Sequence, residues 1–210
     1  MITFDHVDDE TRALLRTTGN PRMITLLDDD HSVSPGILHS QENTGRLQVQ
    51  HLAAAGHRHL GYAWPDDPRV RGFADPRLGG VRYACHELGL DLPTVLEVPL
   101  DADRAAAALR TWQAADPPVT GICAYNDETA MAVIAGAAQL RLRIPDDLAV
   151  VGVDDIPAAA LTVPALTTVR TDAIVVARQV TATVVAQIAG QAPPRIVDST
   201  VVQLIVRQST

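Results

Sequence analysis

Residues 121–155, GICAYNDETAMAVIAGAAQLRLRIPDDLAVVGVDD, predict a strand, a helix and a second strand in succession. Residues 122–125 are an apolar run that is too short for a helix, which favours a buried strand. Residues 148–153 are a second continuous apolar run, typical of a parallel sheet that is covered on both faces. Ligands bind at the carboxyl ends of strands in such sheets, so the residues that follow these two strands are the first candidates for a site.

The helix between the two strands is predicted to begin at Asn126 or Asp127, because either side chain can cap a first turn. Apolar residues recur at helical spacing at Met131, Ile134, Ala138 and Leu142. Pro145 is expected to end the helix, because it has no amide hydrogen to donate. Asp154 and Asp155 follow the second strand, and adjacent strand residues point to opposite faces, so the two carboxyl groups are not expected to share a proton.

The rest of the chain continues the alternation of strands and helices. The predicted strands are 1–4, 23–27, a segment within 57–64, 95–98 and 201–206. The predicted helices are 8–16, 44–55, 77–89, 103–114 and 171–189, the last capped by Thr171. The predicted loops or links are 31–40, 65–76 and 167–169. Gly79 and Gly80 fall in the predicted first turn of one helix, which indicates a close approach of its backbone to another element. The alternation predicts an α/β protein with parallel sheets.

The composition is that of a globular protein with an aliphatic core. The chain has 210 residues, of which 47% are hydrophobic and 3% aromatic, and this size suits one large or two small domains. The net charge is −8 and no stretch concentrates arginine, so the chain itself is expected to bind nucleic acid poorly. It has no apolar run of membrane-spanning length and no signal-like start, which predicts a cytoplasmic location.

Motifs of catalysis and of metal binding are absent from the sequence. It contains no GxSxG elbow, no P-loop and no GxGxxG after a strand. Cys85 and Cys123 have no CxxC partner and are expected to be reduced core residues. His57 and His59 alternate along an extended segment and have no third ligand near in sequence, so a zinc site is not expected. No cofactor is expected either. An enzyme is therefore a weaker interpretation than a binding protein.

Two charged residues are candidates for holding a ligand. Arg77 is predicted to open a helix directly after a polar loop, and Asp127 opens another directly after a strand. A guanidinium and a carboxylate that face each other across a cleft can bracket a diol or a heterocycle with charge-assisted hydrogen bonds. The alternatives are that Asp127 is a plain helix cap, worth about 1 kcal/mol, and that Arg77 is a surface residue. Spacing alone leaves both alternatives open.

Several motifs resemble one known family. The segment NDETAMAVIAGAAQLRLRIPDDLAVVGVDD (126–155), followed by PALTTVRTD (164–172), is similar to the effector-binding core of LacI/GalR-type bacterial transcriptional regulators. HLAAAGHRHLGY (51–62), RLGGVRYA (77–84) and the ending LIVRQST (204–210) agree with the same family. The resemblance covers nearly the whole chain in order.

The resemblance implies a two-lobed fold like that of periplasmic binding proteins, with a sugar or purine-like effector held between the lobes. It also implies a homodimer and a helix-turn-helix domain that binds operator DNA. Arg77 matches the family arginine that contacts the effector. Asp127, with Asn126 beside it, matches the effector-contacting ND motif. Asp28 falls where some members place a polar ligand contact.

The chain also departs from the family pattern. The helix-turn-helix headpiece and the first two strands and helices of the amino-terminal lobe are not found, since residues 1–4 resemble the third strand of that lobe. Aromatic residues that often stack on the effector are missing near Asp101 and Thr162. We therefore expect an incomplete amino-terminal lobe and a complete effector-binding lobe. The first would comprise residues 1–40 and 170–192, and the second residues 41–169 and 193–210.

These observations predict the effector-sensing, dimer-forming core of a transcriptional regulator that is not an enzyme. Operator DNA would be bound only through a helix-turn-helix domain that is not in this sequence, and no membrane partner is expected. The alternative is a solute-binding protein of a transport system, which would require a signal peptide. A third interpretation is an enzyme built on the same α/β architecture.

Overall fold

The computed structural model of the chain describes residues 2–3, 24–25, 35–191 and 202–210. Within them the strands are β1 (Ile2–Thr3), β2 (Ile24–Thr25), β3 (Leu60–Trp64), β4 (Thr94–Glu97), β5 (Gly121–Ala124), β6 (Ala149–Val153), β7 (Thr167–Thr171) and β8 (Val202–Ile205). The helices are α1 (Pro35–Ala54), α2 (Arg71–Glu87), α3 (Ala102–Gln113), α4 (Asp127–Gln139) and α5 (Ala173–Ile188), with short 3-10 helices at Pro68–Val70 and Pro157–Leu161. The predicted helix at 8–16 lies outside the described residues.

The main sheet has six described strands in the order β4-β3-β5-β6-β7-β8. The first five strands in this order are parallel to one another, and β8 is antiparallel to β7. Ile122 of β5 lies opposite Val150 of β6, and α4 joins these two strands, so the predicted strand–helix–strand unit is confirmed. β1 and β2 pair in parallel in a second, two-stranded sheet. The α/β class with mostly parallel sheets is therefore confirmed.

Each face of the main sheet is covered by a hydrophobic cluster. Ile122 packs in the cluster that includes residues of α3 and α4, whereas its neighbour Cys123 packs in the cluster that includes residues of α1 and α2. Neighbouring strand residues thus enter opposite clusters, as the period of two in a strand requires. Cys85 and Cys123 are buried free thiols, as expected. None of the described helices is long and apolar enough to cross a membrane.

Helix α1 begins earlier than predicted. The loop prediction for 31–40 is wrong from Pro35 onward, because Pro35 is the first residue of α1. The N–H groups of the first helical turn have no acceptor within the helix, so the lack of an amide hydrogen in proline costs no hydrogen bond there. The fixed φ of proline also suits the helix. The short link predicted at 167–169 is strand β7, which runs to Thr171. The predicted lobe boundaries near 40 and 170 fall inside α1 and β7, and the division into lobes remains a prediction.

Helix α2 also begins before its predicted start. The loop predicted at 65–76 becomes helical at Pro68, where a 3-10 helix starts, and α2 follows at Arg71. Asp67 caps the 3-10 helix, since its Oδ1 accepts from the N–H of Arg69 at 2.9 Å. Pro76 lies inside α2 rather than before it. Pro68 and Pro76 thus lie within one continuous helical segment.

The predicted end of α4 and the predicted cap of α5 are both wrong. Helix α4 ends at Gln139, before Pro145, because Arg141 adopts a positive φ of 57° and the N–H of Leu142 bonds back to Ala137 O at 3.0 Å. This is the left-handed reversal that commonly closes a helix. Asp172 caps α5, with its Oδ1 accepting from the Ile174 N–H at 2.9 Å, instead of Thr171.

Helices α1 and α2 approach closely enough to require glycine. A Cβ atom on Gly80 would overlap the carbonyl oxygen of Glu42, and one on Gly45 would overlap that of Arg77. A Cβ atom on Gly79 would meet nothing within 4 Å. The predicted close approach is therefore confirmed at Gly80 but not at Gly79, and it sets the position of Arg77 relative to α1.

Candidate functional site

A cleft of about 510 Å³ lies at the carboxyl ends of the parallel strands β3, β4 and β5. It is lined by Pro65, Asp66, Asp67, Arg69, Val70, Val98, Leu100, Tyr125, Asn126, Glu128 and Thr129. These residues come from the segments that follow the three strands, where parallel sheets bind ligands. The volume is that of a small-molecule site.

Asn126 lines this cleft and caps α4. Its backbone is extended, and its Oδ1 accepts from the N–H of Thr129 at 2.9 Å. Of the two predicted caps, Asn126 is the one that forms. The bond satisfies one of the amide hydrogens that the first turn of a helix leaves without a partner.

Asp127 is 1% exposed and holds three elements together. Its carboxylate accepts from the Thr168 hydroxyl of β7 at 2.6 Å and from the N–H of Ile156, after β6, at 2.9 Å. The plain-cap interpretation is therefore wrong, because both bonds reach other parts of the chain. Asp127 is not among the described residues that line the cleft, and its predicted contact with a ligand stays a prediction.

Burial raises the pKa of Asp127 from 3.8 to about 6; its two hydrogen bonds oppose the rise, and the nearby charges of Asp154 and Asp155 add to it. Since the folded state binds this proton more tightly than the unfolded state, the ionised carboxylate lowers stability above pH 6. That loss is relieved as the pH falls from about 6 to 3.8.

Asp127→Asn is expected to raise the free energy of unfolding at pH 7.5, with the gain shrinking toward pH 4. The amide oxygen of the new asparagine can still accept from the N–H of Ile156, and its NH₂ group can donate to the Thr168 hydroxyl. Urea unfolding of both proteins between these pH values measures the difference. The exposed Asp91→Asn is the control for one lost negative charge, with little change expected. A less stable Asp127→Asn at pH 7.5 would contradict the assigned cost of the buried charge.

Arg77 lies in the second turn of α2, so the prediction that it opens a helix is wrong; α2 starts six residues earlier, at Arg71. It is 6% exposed, which also rules out the surface interpretation. Its Nε donates to Gln41 Oε1 at 2.6 Å and its Nη1 to the carbonyl of Tyr125 at 2.8 Å. Its Cζ lies 4.8 Å from the centre of the Tyr125 ring. Arg77 thus connects α1 to the end of β5, beside the cleft.

Asp154 completes this arrangement; the sequence indicated its position at a strand end but did not assign it to ligand binding. Its Oδ1 lies 3.3 Å from Nη2 of Arg77, and its side chain is 41% exposed. Its φ of 104° is a rare conformation for a residue other than glycine and is typical of functional sites. The available signal was its position after β6, at the same sheet edge as Asn126.

Asp155 turns to different partners, so the expectation that the two carboxyl groups do not share a proton agrees with the geometry. Its Oδ1 accepts from Nη2 of Arg207 at 2.5 Å, and its Oδ2 lies 3.6 Å from Nη1 of Arg170. With 12% of its side chain exposed, Asp155 ties the end of β6 to β7 and to the segment after β8.

Two glutamines of α1 were also missed by the sequence reasoning. Gln48 is fully buried, and its Nε2 donates to the carbonyls of Ala124 at 2.8 Å and Val151 at 3.0 Å. Gln41 holds Arg77, as described above. Both lie in a helix without a strong apolar stripe, and their partners are distant in sequence, so no local pattern could indicate them.

His57 and His59, which were considered as a metal site, do not line the cleft. Asp28 lies outside the described residues. His57 Nδ1 bonds the Thr120 hydroxyl at 3.0 Å, and His59 lies 3.9 Å from Asp91. Within the part of the chain that the structure describes, no three His, Cys, Asp or Glu side chains are placed to hold a metal ion.

The sequence profile of the family described as "Periplasmic binding protein-like domain" matches residues 49–210. The HTH-type transcriptional regulator MalR of Streptomyces coelicolor is 31% identical over 177 residues, which are 78% of this chain and 48% of that protein. The chain spans about half the length of the curated relatives that it matches.

Solved structures agree with this match. The transcriptional regulator CelR–cellobiose complex superposes with a TM-score of 0.74 at 26% identity and covers 100% of this chain and 64% of that one. A LacI transcriptional regulator from a Rhodococcus species gives 0.64 at 27% identity, covering 81% and 62%. The chain therefore belongs to the periplasmic binding protein-like domain family, and it corresponds to the effector-binding core of LacI-family transcriptional regulators.

Proposed function

We propose that this chain is the effector-sensing core of a transcriptional regulator and that its cleft binds a small sugar-like molecule. The observation that carries the proposal is the position of the cleft at the carboxyl ends of three parallel strands. Tyr125 lines the cleft and also contacts Arg77, which pairs with Asp154 at the adjacent strand end. A ligand in the cleft would therefore lie beside this ion pair.

The lining favours a hydroxylated ring over a purine. Asn126, Glu128 and Thr129 present polar groups on one side, while Val70 and Leu100 are apolar. Tyr125 is the aromatic residue among the described lining side chains, and only 7% of it is exposed, which leaves little surface for stacking a heterocycle. The relative CelR was solved with cellobiose, which supports a sugar as the ligand class.

Asp154→Asn is expected to weaken sugar binding by about tenfold or more, because a hydrogen-bonded charge next to the ligand is lost. Asparagine has the same shape and tolerates a positive φ, so the backbone should be kept. Calorimetry would follow a screen by thermal shift against neutral mono- and disaccharides, cellobiose included. Asp146→Asn, on the loop that precedes β6, is the matched control. No binding by any sugar in the screen would overturn the proposal. Equal affinity of the Asp154→Asn and Asp146→Asn variants would show that Asp154 does not contribute to sugar binding.

Regulation would follow from coupling this core to DNA binding. MalR is an HTH-type regulator, and the matched segment is 48% of its length. We therefore assign operator binding to a helix-turn-helix domain outside residues 1–210. A regulator of this kind would act in the cytoplasm. The acidic charge of −8 opposes binding of the phosphate backbone by this core. No feature of the cleft favours the transport alternative.

We also propose a homodimer with α5 at or near the interface. Ile174, Val185 and Ile188 of this helix are 66%, 59% and 54% exposed, which is unusual for large apolar side chains that share one helix. Association with a second copy would cover them. Light scattering at micromolar concentration should give twice the chain mass, and a monomer that persists when ligand is added would contradict the proposal.

A further inference from the structure

Negative charges outnumber positive charges among the described side chains that line the cleft. Its described lining contains the carboxylates of Asp66, Asp67 and Glu128 and a single guanidinium, that of Arg69. Arg69 is already engaged, since its Nε and Nη2 hold both carboxylate oxygens of Asp67 at 2.7 to 3.1 Å. Asp66 lies 3.1 Å from Nη1 of Arg104 at the rim. The carboxylate of Glu128 is exposed and forms no ion pair with a described residue.

The helix starts beside the cleft also favour a cation over an anion. The amino terminus of a helix attracts phosphate and carboxylate groups through its free N–H groups. At the start of α4 the Thr129 N–H is taken by Asn126, and Asp127 and Glu128 place two carboxyl groups in the first turn. Helix α3 begins just after Leu100, and there the Arg104 N–H is taken by Asp101 at 2.9 Å. Each helix start thus has one N–H taken by a cap, and the two carboxyl groups at the start of α4 disfavour an anionic ligand there.

We propose, on the basis of the sugar-binding function proposed above, that the cleft selects a hydroxylated ligand with a protonated amine, an amino sugar. Glu128 is the counter-ion, and Val70, Val98 and Leu100 form the apolar wall beside it. Low-dielectric walls concentrate the field of a carboxylate in a cleft, which favours a cation and disfavours phosphorylated or carboxylated sugars. The geometry thus assigns the ligand class by charge as well as by shape.

The test compares ring-form sugars that carry an amine, no charge or a carboxylate. Matched sets would be glucose, glucosamine and glucuronate; galactose, galactosamine and galacturonate; and cellobiose, its β-1,4-linked diglucosamine counterpart and cellobiouronate. Calorimetry at low ionic strength and a pH at which the amines are protonated gives each affinity. Within the set that binds best, we expect the amine to bind about tenfold more tightly than the carboxylate, with the neutral sugar between them. The difference should shrink as salt is added.

Two variants locate the effect. Glu128→Gln is expected to reduce the ratio of amine to carboxylate affinity severalfold, whereas Asp91→Asn removes one negative charge at the opposite edge of the sheet and should leave that ratio unchanged. Neutral sugars that bind while the amine gains nothing, or anions that bind best, would overturn this inference and leave the sugar-binding function intact. No binding by any member of the three sets would overturn both. An equal change of the ratio in both variants would remove Glu128 as the counter-ion.

Discussion

Gly80→Ala is expected to lower the free energy of unfolding by at least about 3 kcal/mol, because the added methyl group would overlap the carbonyl oxygen of Glu42. Backbone atoms cannot rotate away as a side chain can, so α1 and α2 would have to separate. Their separation would draw Gln41 away from Arg77 and weaken the arrangement at the end of β5. Urea unfolding followed by circular dichroism measures the loss.

Gly79→Ala is the matched control, one residue away in the same helix. A Cβ atom there meets nothing within 4 Å, so alanine should raise stability by about 1 kcal/mol through its higher helix propensity. The two substitutions are identical in chemistry and differ only in what the new methyl group meets. Similar effects of the two would mean that the close approach of α1 and α2 does not determine stability.

The sheet could be predicted because its strands are buried on both faces. Such strands must be apolar at every position, so β5 and β6 are visible as short continuous runs of aliphatic residues. Helix starts were harder, because proline is read as a break in a helix while it also favours the first helical position. Pro35 and Pro68 are of the second kind, and no local pattern distinguishes the two cases.

The sequence indicated residue types for the candidate site but not the partners of those residues. Asp127 follows a strand, and that position indicated a functional carboxylate. Its partner Thr168 is 41 residues away, and the two meet because α4 follows β5 and Thr168 lies on β7, two strands along the sheet. The same holds for Arg77 and Asp154, which are separated by 77 residues. Sequence spacing within one element carries no information on contacts of this range.

Arg77→Ala is expected to remove ligand binding and also to destabilise the fold, in contrast to a residue that only touches a ligand. The substitution leaves the Gln41 side chain and the Tyr125 carbonyl without their donor in a buried place, and each buried unpaired group costs about 1–3 kcal/mol. We therefore expect the free energy of unfolding to fall by at least about 2 kcal/mol. Urea unfolding and calorimetry with the best sugar of the screen measure the two effects.

Arg143→Ala is the control for the loss of an arginine in general, since Arg143 is exposed and, among the described residues, forms ion pairs with nearby Asp146 and Asp147 alone. Arg77→Lys tests the geometry, because lysine keeps the charge but cannot reach three partners with a planar fork. If binding needs only a positive charge near Asp154, Arg77→Lys should bind sugar nearly as well as the parent. If Arg77 acts by fixing Tyr125 and the strand ends around the cleft, lysine should lose binding almost as fully as alanine, and this second outcome is the one we expect.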